Sequence, residues 1–254
     1  MQHHKRLPWL AWLSPLVLLL VWAWVAHIEL ISPRLLSSPL HVYQTFLELL
    51  RSGELQENLL KTMYRLTLGF GIGSVSGLLF GILMAVSRNV EDFFAPIFHA
   101  IRQIPTIALL PIFILVFGID ESFKIAIVVM LTFFSVALAS YEATKGVSRH
   151  YFEVAQIYRL PTWAVYSKLI LPAIMLPTFT GLRIAFTRSW TILIASELLV
   201  ADSGLGQMMQ QGRDMFRLDI VLVGVVLTGL IGFAIDRLFK LGEKYLIPWR
   251  VARG

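Results

Sequence analysis

"YFEVAQIYRLPTWAVYSKLILP", residues 151–172, is a half-polar interruption in a chain otherwise apolar enough to dissolve in lipid. From Tyr151 to Tyr158 the spacing predicts a helix. Val154, Ile157 and Tyr158 share one face, and Glu153 and Gln156 turn away from it. The residue before a proline avoids the α region, so this helix is expected to end near Leu160. Pro161 suits the first turn of a second helix, Thr162 to Ile170, which is expected to stop before Pro172. The product is two short helices at an angle, the first with an apolar strip. Such a strip fits either the groove of a partner protein or the surface of a bilayer, and periodicity alone leaves both open.

The surrounding composition sets the class. Of 254 residues, 57% are apolar and 15% charged, against about 25% charged in an ordinary soluble domain; the mean hydropathy is +0.72. The absence of cysteine excludes disulfides, thiolate zinc sites and cysteine nucleophiles. The six histidines show no metal-ligand spacing and read as surface residues. The net charge of +6 is spread between apolar runs, where it orients a membrane protein and forms no phosphate-binding face, so nucleic acid is not an expected partner.

An apolar run of about 20 residues crosses the hydrocarbon core as a helix. Six such runs are expected, at about 9–26, 66–86, 98–118, 123–143, 179–200 and 220–239, with the polar loop over 144–176 between the fourth and fifth. The fold class is therefore an all-α membrane protein, one transmembrane domain over 1–254 with its core at 60–240. The first run follows Lys5 and Arg6 but is too long and tryptophan-rich for a signal peptide, and Trp24-Val25-Ala26 is no small-x-small cleavage site, so it reads as a retained anchor. Residues 39–52 read as an amphipathic helix too short and charged to span. Ser38 is its N-cap, Pro39 its first residue and Gly53 its stop. With six spans both termini share a side. Thirteen Lys and Arg fall on that side and seven on the other, so the termini and the 144–176 loop are expected in the cytoplasm.

Two sets of in-span residues stand out. Gly69, Gly73, Gly77 and Gly81 recur every four residues along the second span; this spacing allows close helix packing and is also compatible with a hinge. In the fifth span, Arg183, Thr187, Trp190, Thr191, Ile194 and Glu197 share one face, with Arg188 well off it. Ionisable groups inside a span are functional candidates. Thr187, Trp190, Thr191 and Glu197 are accordingly the expected lining of a solute path, against the alternative that Glu197 snorkels to the interface. Arg183, next to the loop, reads more readily as a tether.

The loop resembles the cytoplasmic loop of the permease subunits of bacterial ABC importers, whose pattern is Glu-Ala-Ala, three residues, Gly, nine residues, Ile-x-Leu-Pro. This chain reads Glu153-Val154-Ala155, three residues, Arg159, nine residues, Leu169-Ile170-Leu171-Pro172. Further blocks resemble the nitrate, sulfonate and taurine branch: "SSPLHVYQTF", "IRQIPTIALLPIFILVFGIDESFK", "GLRIAF", "WTILIASELL" and "SGLGQMM". The resemblance implies that Glu153, Val154, Ala155, Ile157, Tyr158, Arg159, Leu160 and Pro172 form a coupling element that docks on a separate ATPase. It implies a second permease copy or a sister subunit, an external solute-binding protein, a lipid surround in the bacterial inner membrane, and a small solute such as a sulfonate, taurine or nitrate. No cofactor is expected on this chain, and ATP with Mg belongs to the partner, since no GxxxxGK[ST] loop occurs here. Arg159 departs from the family glycine. Either it tolerates a left-handed conformation, or Leu160-Pro161 turns the chain differently, or the partner differs. The competing classes are a gradient-driven secondary transporter, for which no inverted repeat is found, and a membrane-embedded enzyme, for which no catalytic cluster is found.

Overall fold

The computed structural model describes residues 10–28 and 36–246. The chain folds into helices α1 Leu10–His27, α2 Pro39–Ser52, α3 Glu54–Val86, α4 Arg88–Ile101, α5 Leu110–Phe117, α6 Glu121–Lys145, α7 Arg149–Ile157, α8 Thr162–Val165, α9 Leu171–Leu199, α10 Leu205–Asp214 and α11 Leu218–Leu246. Lys5, Arg6 and the tail beyond residue 246 lie outside the described residues.

The core is a three-helix sandwich in which α6 lies between α3 and α9. The glycine series explains the first contact. A β-carbon at Gly69 would come 2.7 Å from the Val128 side chain, at Gly73 2.7 Å from the Val129 carbonyl oxygen, and at Gly77 2.7 Å from the Phe133 carbonyl oxygen; at Gly81 it would strike Ala137 and Ser140. All four glycines are buried against α6. In lipid no hydrophobic drive pulls helices together, so this backbone approach is what gains dispersion contact. On an adjoining face of α6, Gly181 of α9 meets Ala139, and Thr132, which also packs on Gly73, pairs its hydroxyl with that of Ser189 at 2.7 Å. α2 begins as its cap predicts: Ser38 Oγ accepts from the His41 amide and Gly53 is left-handed at φ 85. It packs on the bundle, its Thr45 hydroxyl donating 2.8 Å to Asp219 Oδ2 at the start of α11.

Among the described residues, four helices are long and apolar enough to cross a membrane, α3, α6, α9 with its preceding turns, and α11. The expected third span, 98–118, is not one helix. α4 ends at Ile101 and the chain resumes at a short 3₁₀ turn, Thr106–Leu109, before α5, with an 89° bend between the two arms. Pro105 removes the N–H that would continue α4 and forces Ile104 out of the α region. The second and sixth spans run longer than expected because their polar ends stay helical, and the fifth because the helix runs through Pro172 and Pro177. The expected stop before Pro172 is also absent. Tyr166–Ile170 forms a wide π turn leading directly into α9, where Pro172 occupies the first turn. The widened turn accommodates a ring that an α-helical turn would set against the carbonyl four residues back.

Candidate functional site

At one end of the bundle lies the 149–170 loop. α7 begins at Arg149, two residues before the expected start. Its turn is a Schellman closure: the Arg159 amide donates to the Gln156 carbonyl at 3.0 Å and the Leu160 amide to the Ala155 carbonyl at 2.9 Å. Arg159 takes the C′ position with φ 47. The conformation served by the family glycine is therefore present, with a β-carbon at a left-handed position. Ala155 is buried, whereas Ile157 is 78% and Tyr158 74% exposed, and Trp163, which the sequence reading did not single out, is 79% exposed. Glu153 is exposed and accepts from His150 Nδ1 at 3.1 Å. Leu160 sits at the edge of exposure, and the Val154 side chain lies outside what is described. Replacing Arg159 by glycine removes a left-handed β-carbon worth about 1 kcal/mol. Arg159→Gly is expected to leave thermal unfolding of the solubilised protein unchanged or raise it slightly, and to leave intact the ATPase coupling that the resemblance implies. A lower Tm would contradict the strain argument, and lost coupling would assign the guanidinium a partner.

At the opposite end is a buried ionic cluster absent from the expectations above. Arg65 of α3 is fully buried. Its Nε and Nη2 donate to the two oxygens of Glu121 on α6, its Nη1 to Glu197 Oε1 on α9 at 2.6 Å, and its remaining N–H groups to the Ser203 carbonyl at 2.7 Å and hydroxyl at 2.8 Å. All five guanidinium donors are thereby used. The Glu197 carboxylate also accepts from Thr62 Oγ1 at 2.9 Å and from the Gly206 amide at 3.0 Å. The Leu205 amide donates to Thr62 Oγ1, and the Gly204 amide to Asn58 Oδ1. A β-carbon at Gly204 (φ 114) or Gly206 would come 2.5 Å from Glu197, so the Ser-Gly-Leu-Gly turn can wrap the carboxylate only with those glycines.

The residues of the expected path fall in different surroundings. Glu197 is 1% exposed and walled in by α3, α6 and the 203–206 turn, so it neither lines an open face nor snorkels. Trp190 is also buried, its Nε1 donating to the Thr228 carbonyl at 3.2 Å. Thr187 and Thr191 remain exposed, each closing a hydrogen bond to the carbonyl four residues back. Arg183 is tied to α11 through Asp236 at 3.3 Å and Glu243 at 4.0 Å. Arg188, well off that face, is exposed.

A bundle of long apolar helices with a broken third span, small-residue seams and an exposed helical loop at one end defines a multi-pass membrane protein. Residues 77–246 match the family described as the inner membrane component of binding-protein-dependent transport systems, and the chain belongs to that family. It is similar to the putative aliphatic sulfonates transport permease protein SsuC of Bacillus subtilis, 33% identical over 97% of this chain and 90% of the relative. It is also similar to the taurine transport system permease protein TauC of Escherichia coli, 31% identical over 97% and 95%. Among solved structures, an inward-facing MetNI methionine ABC transporter shares the fold at TM-score 0.58 and 19% identity, over 72% of this chain and 94% of that one. The chain is thus the membrane subunit of an ATP-driven importer and not itself the ATPase, which sets aside both the secondary transporter and the enzyme.

Proposed function

We propose that this permease imports a small sulfonate-like anion across the bacterial inner membrane, as a pair of copies with ATPase subunits docked on the 149–170 loop. Both termini and that loop face the cytoplasm in this reading, and an external binding protein delivers solute at the Arg65 end. The ATPases hold Mg and ATP. The observation that carries the reading is the pair of exposed side chains, Ile157 and Tyr158, at the end of a helix closed by a hydrogen-bonded turn. A fixed helix with unspent apolar surface is what a groove on a partner recognises. The unbroken path from α8 through the π turn into α9 gives partner motion a rigid lever on the bundle. The substrate class rests on the sulfonate and taurine names of the relatives, both ligands carrying a sulfonate group.

The test is purification. The tagged chain, co-expressed with an importer ATPase and binding protein from the same cell, is expected to retain the ATPase in mild detergent, with ATP hydrolysis stimulated by the loaded binding protein. Uptake of a sulfonate by the permease alone in proteoliposomes would overturn the reading.

A further inference from the structure

The break in the third span opens onto a cavity of about 430 Å³ against the middle of α6 and α9. Its polar lining is Arg102, Gln103 and Thr106 from the break, Ser135 from α6 and Arg188 from α9, and it contains no acidic residue. The surrounding cations are neutralised locally. Arg65 holds Glu121 and Glu197, Lys124 lies 3.9 Å from Glu121, Lys145 meets Glu91, and Arg183 meets Asp236. Neither Arg102 nor Arg188 has a carboxylate within ion-pair distance among the described residues.

Depth makes the pair informative. Arg188 precedes the buried Glu197 by nine residues, or about 13 Å of helix, which sets it near the middle of a hydrocarbon core about 30 Å thick. A mid-membrane guanidinium without a counter-ion is costly unless it faces water. Broken helices at mid-depth are where a transport protein offers unpaired backbone and side-chain groups to a solute. The polar groups at the break, the Ser135 hydroxyl and two guanidinium forks converge on one volume. Such forks match the planar oxygen pairs of an oxyanion.

We propose that Arg188 and Arg102 form an oxyanion-binding subsite on the translocation path, so that the anion is read inside the membrane as well as by the binding protein. This rests on the importer reading for its direction of transport but not for its geometry. The path then runs on the Arg188 side of α9, away from the Glu197 side that closes against α3. A weakly held anion is expected, since two cations that bound it tightly would arrest transport.

The cysteine-free chain permits a direct test. Single-cysteine variants S135C and T106C, in the complex in nanodiscs where both faces are wet, are labelled with an anionic sulfonatoethyl or a cationic trimethylammonium-ethyl methanethiosulfonate. Rates are normalised to those with a small free thiol. The anionic reagent is expected to be favoured by about tenfold or more. R188Q in the same background should bring the ratio toward one, and R188K should keep most of it. Labelling of neither cysteine while exposed D214C reacts, or a ratio indifferent to R188Q, would overturn the subsite. Labelling needs no turnover, so failure of the importer reading would show separately, as loss of ATPase co-purification with the charge ratio intact.

Discussion

Arg65→Met is expected to destabilise the permease by about 3–5 kcal/mol, the cost of removing one partner from a buried ion pair. The size follows from what is left behind. Glu121 is half-exposed and can be re-solvated, but Glu197 has no exposed side-chain surface and would keep only the Thr62 and Gly206 donors. The Ser203 carbonyl and hydroxyl would lose their partners as well, and the 203–206 turn would be released from α3. Glu197→Gln alone should cost less, because the amide oxygen can still accept from Thr62 and Gly206 and Arg65 retains Glu121. Adding Glu197→Gln to Arg65→Met should recover part of the loss by removing the unpaired charge, a non-additivity expected of residues in contact. Thermal unfolding of the solubilised chain and its steady-state amount in membranes measure all three. A double variant as unstable as the sum of its singles would show that Arg65 acts by packing alone, and an Arg65→Met variant of native stability would remove the cluster from the stability of the fold.

That cluster also shows which parts of the molecule were legible in the sequence. Spans, the α2 cap and the glycine seam are local patterns, and each had a one-dimensional signature. The signal for Arg65 was present but misread. Asn58, Thr62 and Arg65 extend the face of Gly69, Gly73, Gly77 and Gly81 by helical spacing, yet the expected span begins at about Leu66, one residue past that cation. The helix begins at Glu54, and continuing the stripe would have placed a cation on the packed face. Its acceptors could not be read, since Glu121 and Glu197 lie 56 and 132 residues further along the chain. Glu197 was assigned to the path on periodicity, which says which residues share a face but not what covers it. The third span failed for a different reason. Arg102 and Gln103 before Pro105 were polar groups inside a run averaged as apolar, and hydropathy smooths over a break that backbone chemistry creates. Arg159 shows the reverse case, where the expected glycine conformation survives the substitution because the 6→1 and 5→2 hydrogen bonds hold the turn.

The largest effect on transport, as distinct from stability, is expected at the loop. Glu153→Lys combined with Ile157→Ala and Tyr158→Ala should abolish sulfonate uptake and ATPase retention while leaving the permease folded. The separation of these outcomes follows from exposure. Neither Ile157 nor Tyr158 contributes to the core, and surface substitutions away from caps and cores are usually within about 0.5 kcal/mol of neutral. The backbone closure that shapes the turn uses main-chain groups of 155, 156, 159 and 160, and the variant touches none of them. Any large loss must therefore come from a surface that is covered only in the assembly. A buried tyrosine at an interface centre is worth about 2 kcal/mol or more on truncation, close to thirtyfold in affinity at about 1.4 kcal/mol per tenfold, before the charge reversal is counted. The variant should keep the wild-type Tm, lose the ATPase on detergent purification, and regain part of it when Glu153 is restored. Arg65→Met should do the opposite, losing thermal stability while the fraction that remains folded still carries the ATPase. Native uptake by the triple variant would move the coupling surface off α7 and leave Trp163 of α8 as the next exposed anchor to remove.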